Sequence, residues 1–130
     1  MQLASYMKIT GKNNMSFKQC TSCAHQWQDQ EEFLADPDVT LLGLQVCFDN
    51  LMEGLILFNH SCRTTFSVEV SRFGNLYQGP VYSERLTAGE ECPGYCLNER
   101  ELKPCPAKCA CAFVREILQV IKAYPKKKRR

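Results

Sequence analysis

Between Val39 and Phe48 the chain is rich in β-branched and large apolar residues, and a second apolar run spans Leu55 to His60 after turn chemistry at Asp49–Gly54. The two runs predict a β-hairpin. From Thr64 to Val70 apolar and polar positions alternate, the period of a half-buried strand, so a third strand is expected there. A different rhythm governs the C-terminus. Phe113, Ile117, Val120, Ile121 and Tyr124 recur at helical spacing, with Arg115, Glu116, Gln119 and Lys122 mostly opposite, and Pro125 ends that amphipathic helix. Gln30 to Ala35 predicts a helical turn or two, stopped at Asp36-Pro37 because a residue before proline avoids the α region. Ser71 is placed to cap a short helix reaching Tyr77, closed by Gly79-Pro80. No rhythm holds before Met15. From Val81 to Cys111 glycine, proline and cysteine punctuate the chain instead.

With 130 residues, 45% of them hydrophobic and 23% charged, the chain has the make-up of one ordinary domain, or of a domain with a metal-stapled appendage. The first residues carry no apolar core of a signal peptide, and no apolar run approaches the length of a membrane span. A cytoplasmic protein without a membrane contact is therefore expected. The charge is uneven: Lys126 to Arg130 are all basic, whereas acidic residues outnumber basic ones in the remainder. Such a tail is expected to be solvated; it also gives nucleic acid a conceivable point of contact through its phosphates.

Composition changes the picture most through its nine cysteines, at positions 20, 23, 47, 62, 92, 96, 105, 109 and 111. In a secreted chain they would read as a disulfide framework. Here the odd number and the close spacing favour thiolate ligands in a reducing compartment. Cys20-x2-Cys23 sits in a tight turn, and a ribbon-type site takes its second pair of ligands from a later β-turn. His60-Ser61-Cys62, directly after the second apolar run, occupies that place. Cys20, Cys23, His60 and Cys62 thus form a predicted first metal site, three thiolates and one imidazole, a set that favours zinc over a four-thiolate iron. Cys47 is an alternative to His60 as fourth ligand, or else a small buried residue. His25 lies too close to Cys23 to share the ion comfortably.

A second cluster holds Cys92-Pro93-Gly94-Tyr95-Cys96 and Cys105-Pro106-Ala107-Lys108-Cys109-Ala110-Cys111. Four of these thiols are enough for an all-thiolate zinc site or an iron–sulfur cluster, although the spacing departs from the ferredoxin run. If the C-terminal helix has begun by Cys109, Cys111 points about 200° away from it, at roughly 100° per residue. Cys92, Cys96, Cys105 and Cys109 are then the expected second site. A helix that begins only after Cys111 lets Cys109 and Cys111 both ligate, so Cys111 stands as the alternative ligand.

The expected architecture is α+β. Residues 1–15 form a loose N-terminal extension, and 16–80 a zinc-ribbon-like antiparallel β domain. Residues 81–125 hold a Cys-rich lobe and the C-terminal helix packing on that domain, and 126–130 the basic tail. Three strings, Phe33-Leu34-x-Asp36-Pro37, Leu57-Phe58-Asn59-His60-Ser61-Cys62-x-Thr64-Thr65 and Cys92-Pro93-Gly94-Tyr95-Cys96, stand out together with Cys109-x-Cys111-Ala112-x-Val114-Arg115-Glu116. Through them the chain resembles, over about residues 16–124, a family of small bacterial cysteine-rich proteins with an N-terminal ribbon-like motif. That resemblance implies a bacterial cytoplasmic metal-binding protein and brings no activity with it.

Catalytic signatures are missing: there are no P-loop glycines, no dinucleotide fingerprint, no G-x-S-x-G and no H-E-x-x-H. The acidic pairs Glu31-Glu32 and Glu90-Glu91 read as solvated faces. The sequence therefore points away from an enzyme and towards an interaction or regulatory module that binds one or two zinc ions and meets another protein. An iron–sulfur protein of electron transfer or redox sensing is the alternative.

Overall fold

A computed structural model of the chain describes residues 16–128, so the predicted loose extension at 1–15 lies outside the described residues. Strands β1 (Lys18–Gln19) and β2 (Gln26–Trp27) pair as a short antiparallel hairpin, and helix α1 (Gln30–Ala35) follows. Strands β3 (Val39–Gln45), β4 (Leu55–His60) and β5 (Thr64–Glu69) make a three-stranded antiparallel sheet with β4 in the middle. Helix α2 (Ala112–Ala123) closes the chain. The architecture is α+β, as the pattern of the sequence predicts.

Helix α1 and the turn after β3 start and stop for local reasons. The Asp29 carboxylate accepts from the Glu32 N–H at 2.8 Å, and the Glu32 carboxylate accepts from the Gln28 N–H at 3.2 Å, so α1 begins with reciprocal capping. It ends at Asp36, one residue before Pro37. Between β3 and β4, the Asn50 side chain accepts from the Met52 N–H and caps a single 3-10 turn at Leu51–Glu53. After β5 a 3-10 helix runs from Val70 to Leu76, starting from Glu69 in extended conformation. The expected Ser71 cap is not used. Ser71 already lies inside that helix, and its hydroxyl donates to the Glu69 carboxylate instead.

One face of the sheet builds the core. The register sets Phe58 opposite Leu41 and Phe66, Ile56 opposite Leu44 and Val68, and His60 opposite Val39 and Thr64. Leu41 and Leu44 are three residues apart, so a regular strand would send them to opposite faces. A bulge between Leu41 and Gly43 resets the phase, and both keep partners on the core face. Against this face pack Phe33 and Leu34 of α1, Val70 and Phe73, and Val114, Ile117, Leu118 and Ile121 of α2, all buried.

The buried stripe of α2 differs from the predicted one. Val120 is exposed and Arg115, expected opposite the apolar face, has no exposed surface. The reason is the neighbour that α2 meets. Arg115 Nε donates to the Lys103 carbonyl at 2.9 Å, Nη2 donates to the Glu101 carbonyl at 2.7 Å, and Gln119 Nε2 donates to the Leu102 carbonyl. Residues 101–103 are thereby held along the helix. Just before them the chain also reaches the sheet. The Leu44 N–H donates to the Glu99 carbonyl at 2.8 Å, and a Cβ at Gly43 would run into that same oxygen.

The start of the basic tail is not free either. Lys126 Nζ donates to the carbonyls of Leu34, Asp36 and Val39 at 2.8, 3.1 and 3.0 Å, and the Lys127 N–H donates to the Ala35 carbonyl. A lysine at the C-terminal end of a helix meets exposed carbonyls there with favourable charge. Lys126, Lys127 and Lys128 are exposed, as expected of a solvated tail, but its first residues are tied down by the acceptors that the end of α1 leaves.

Candidate metal centre

Two turns at the same end of the molecule supply the candidate ligands. In the first, the Cys20 N–H donates to the His25 carbonyl at 2.8 Å and the Ala24 N–H donates to the Cys20 carbonyl at 3.2 Å, which closes the Cys20–Cys23 loop between β1 and β2. In the second, the Arg63 N–H donates to the His60 carbonyl at 2.9 Å and closes the loop between β4 and β5. Both turns put a non-glycine residue in the left-handed region one position past the second ligand: Ala24 at φ 66° and Arg63 at φ 75°. Such a conformation costs roughly 1–2 kcal/mol for an L-residue and tends to persist where surrounding structure imposes it.

His60 is carried into place by the sheet. It occupies a core-face position two residues after Phe58, so its ring is buried beside Trp27, with centroids 5.1 Å apart, and near Phe66. The ring nitrogen Nδ1 faces the sulfurs, 3.2 Å from Cys62 Sγ and 3.7 Å from Cys23 Sγ. Cys20 Sγ lies 3.6 Å from Cys62 Sγ. The donor atoms of Cys20, Cys23, His60 and Cys62 all fall within 4.8 Å of one another. An ion at about 2.3 Å from sulfur and about 2.0 Å from nitrogen, in a tetrahedron, places neighbouring donors about 3.5–3.8 Å apart. The observed separations fit a single ion held by all four.

The thiols of this group differ in their surroundings. Burial pushes the Cys20 thiol up, but the backbone N–H groups of Cys23 and Ser22 and the thiols of Cys62 and Cys23 outweigh it and bring it down to about 6. Burial and the Cys20 thiol beside it push Cys62 up. Metal binding needs the thiolate form, so an ion at this site would release the protons these sulfurs hold. Backbone N–H donors to sulfur also orient the thiolate, as the surroundings of a metal site commonly do.

The remaining cysteines fall into two groups. Cys47 is not an alternative to His60. It follows the end of β3, where Gln45 pairs with Leu55, whereas His60 pairs with Val39 at the other end of the hairpin. Six strand residues at roughly 3.3 Å each put it about 20 Å away. In the C-terminal lobe, Cys111 Sγ lies 3.2 Å from Cys96 Sγ and 3.3 Å from Cys109 Sγ, while Cys105 and Cys92 line the same lobe. Helix α2 begins at Ala112 with Cys111 as its N-terminal flanking residue, so Cys109 and Cys111 are both free to turn inward.

Sequence reasoning did not anticipate the aromatic wall around the first centre. His25 is exposed but lies 4.8 Å from the Trp27 ring and stacks on His60 at 5.9 Å. The only hint was its alternation with Trp27 across a short strand. Among the described residues no helix is long and apolar enough to cross a membrane. Comparison with known proteins finds no matching family model, no matching curated protein and no matching solved structure.

Proposed function

We propose that the chain is a zinc-stabilised interaction module of the bacterial cytoplasm, ribbon-like in its first half. Its Cys20–Cys23–His60–Cys62 centre is structural rather than catalytic. The carrying observation is the convergence of three thiols and one imidazole within 4.8 Å. Four protein donors fill a tetrahedral zinc ion, whereas a catalytic zinc keeps one position for water or substrate. The imidazole also counts against an iron–sulfur cluster, whose usual ligands are four thiolates. A module of this kind presents a surface held in shape by its ion. Its partner is taken to be another protein, and nucleic acid contact is confined to the basic C-terminus.

The chain's single tryptophan makes the reading testable. Trp27 is fully buried against His60, and its indole N–H donates to the Asp36 carboxylate at 2.8 Å. Removing zinc with a strong chelator under reducing conditions should shift the tryptophan emission to the red, and adding zinc should restore it. His60→Ala and Cys23→Ser should each lower the bound zinc by one equivalent. If His60→Ala holds as much zinc as the parent chain, or the tryptophan ignores the chelator, the structural-zinc reading is wrong.

A further inference from the structure

Among the described residues only Cys20, Cys23, His60 and Cys62 gather as the ligands of one ion, so the expected four-thiolate site of Cys92, Cys96, Cys105 and Cys109 does not assemble. Local bonds hold two of those sulfurs apart. Cys92 Sγ accepts from the Gly94 N–H at 3.3 Å and Cys105 Sγ donates to the Ala107 carbonyl at 3.8 Å, each within its own turn. The close sulfur–sulfur contacts among the described lobe residues meet at Cys111, 3.2 Å from Cys96 Sγ and 3.3 Å from Cys109 Sγ. Thiols paired in this way are placed for a disulfide rather than for an ion.

Of the two pairs, Cys96 with Cys111 is the one free to bond. Cys109 is already engaged, since the Leu86 N–H donates to its sulfur at 3.1 Å. A bond from it to Cys111 would bridge the single residue Ala110, whose N–H donates to the Glu84 carbonyl at 2.7 Å, while the Ala112 N–H donates to the Cys109 carbonyl at 2.9 Å. A backbone fixed on both sides of so small a ring adjusts poorly to the narrow geometry of a disulfide. Cys96 lies 15 residues from Cys111 in the chain, in a 3-10 turn entered through Gly94 at φ 82°. Nothing stands within 4 Å of where a Cβ at Gly94 would lie, so this turn has room to close the gap from 3.2 Å to the roughly 2.05 Å of a bond.

The segment between these two cysteines is the part of the lobe that grips the rest of the molecule. It sets the Glu99 carbonyl on the Leu44 N–H of β3, the carbonyls of Glu101 and Lys103 on Arg115, and that of Leu102 on Gln119. Leu102 also packs against the main core. A covalent link from Cys96 to Cys111, which flanks the start of α2, ties both ends of this clasp and removes open arrangements from the ensemble.

The geometry points to a reversible oxidation site, in which Cys96 and Cys111 form a disulfide that fastens the lobe to β3 and α2. The oxidant is a low-molecular-weight disulfide, RSSR. Cys96 is half-buried where Cys109 and Cys111 are buried, and is the sulfur such a molecule reaches. Its thiolate attacks one sulfur of RSSR, the S–S bond breaks and RS⁻ leaves, giving a mixed disulfide on Cys96. Cys111 then attacks the Cys96 sulfur and expels the second RS⁻. The two cysteine thiols give up two electrons and two protons, and RSSR becomes two RSH. In a reducing compartment a bond of this kind is transient and serves sensing.

The test equilibrates the full zinc-loaded chain with oxidised and reduced glutathione at varied ratio, quenches with acid, alkylates and maps the thiols by mass spectrometry. On the unsubstituted protein a peptide linking Cys96 to Cys111 should appear, with joint loss of alkylation at those two cysteines, and dithiothreitol should reverse it. Cys111→Ser should stop at a glutathione adduct on Cys96. Hydrogen exchange of the Leu44 amide should slow about tenfold or more on oxidation, because the clasp opens less often. Full alkylation of Cys96 and Cys111 at every ratio overturns the proposal, as does a linkage of Cys109 to Cys111. Zinc released in step with the linkage, from a chain whose Cys20, Cys23 and Cys62 stay protected, would make these thiols ligands and overturns it too. An unchanged Leu44 exchange rate in the linked chain overturns the clasp.

Discussion

Ala24 and Arg63 show how the first centre is built at the cost of local backbone comfort. Each holds a positive φ immediately after a ligand, at 66° and 75°, and neither is glycine. Substituting Ala24→Gly removes the steric penalty but adds freedom to the unfolded chain. The two effects are of similar size, and relief of an L-residue at positive φ is the larger. Chemical denaturation of the zinc-loaded protein should show stabilisation of up to about 1 kcal/mol. Gly43→Ala should act oppositely, since its methyl would meet the Glu99 carbonyl oxygen. Overpacking of this kind costs roughly 1–3 kcal/mol. Arg115 is the residue that the sequence disguises most. On a helix whose apolar face is read from Phe113, Ile117 and Val120, a charge at position 115 belongs in solvent. Only the carbonyls of Glu101 and Lys103, many positions away in the chain, make its burial possible, and spacing along the helix carries no trace of them.

Among the elements, those governed by local chemistry were legible and those governed by distant contacts were not. Helix α1 stops where Asp36-Pro37 says it must, and the three-stranded sheet follows from runs of apolar residues broken by turn chemistry. The ligand pair His60 and Cys62 was legible for the same reason, because a turn after a strand returns side chains to one side. By contrast the bulge at Leu41/Gly43, the start of α2 at Ala112, and the role of Lys126 depend on what lies across the fold. Lys126 gives the element-scale prediction. Its ammonium serves three carbonyls at the junction of α1 and β3. Lys126→Met would leave them to solvent or unpaired, and should lower stability by about 1–3 kcal/mol in equilibrium unfolding. Lys128→Met, at an exposed position with no such bonds among the described residues, should change stability by less than about 0.5 kcal/mol.

For the whole molecule, the division between core and lobe sets how it responds to metal loss. The core runs from Phe17 to Ile121 and contains Cys20 of the first centre, so the sheet and α2 retain apolar burial without an ion. The stretch from Gly89 to Pro106 contributes little to the core beyond Leu102: among the described residues its one regular element is the 3-10 turn Tyr95–Leu97, and Leu97 is exposed. Structural zinc contributes roughly 10–16 kcal/mol in small peptides, against a net stability of ~5–15 kcal/mol for a typical domain. Chelation should therefore collapse the amide dispersion of residues 89–112 while part of the sheet persists. Amide resonances of that segment that remain dispersed in the metal-free chain would contradict this.

The contact between the Glu99 carbonyl and the Leu44 N–H has a consequence beyond stability. Strand β3 is the border of the sheet, and that border carries Leu41, Leu42 and Leu44, residues well suited to pairing with another chain. The lobe covers the middle of it with its own backbone. An open, apolar strand is a template for self-association. Once the lobe unravels, the same molecules should begin to stick to one another in a concentration-dependent way. The grip of the lobe on that border would then govern how long the chain stays monodisperse as well as how firmly it is folded.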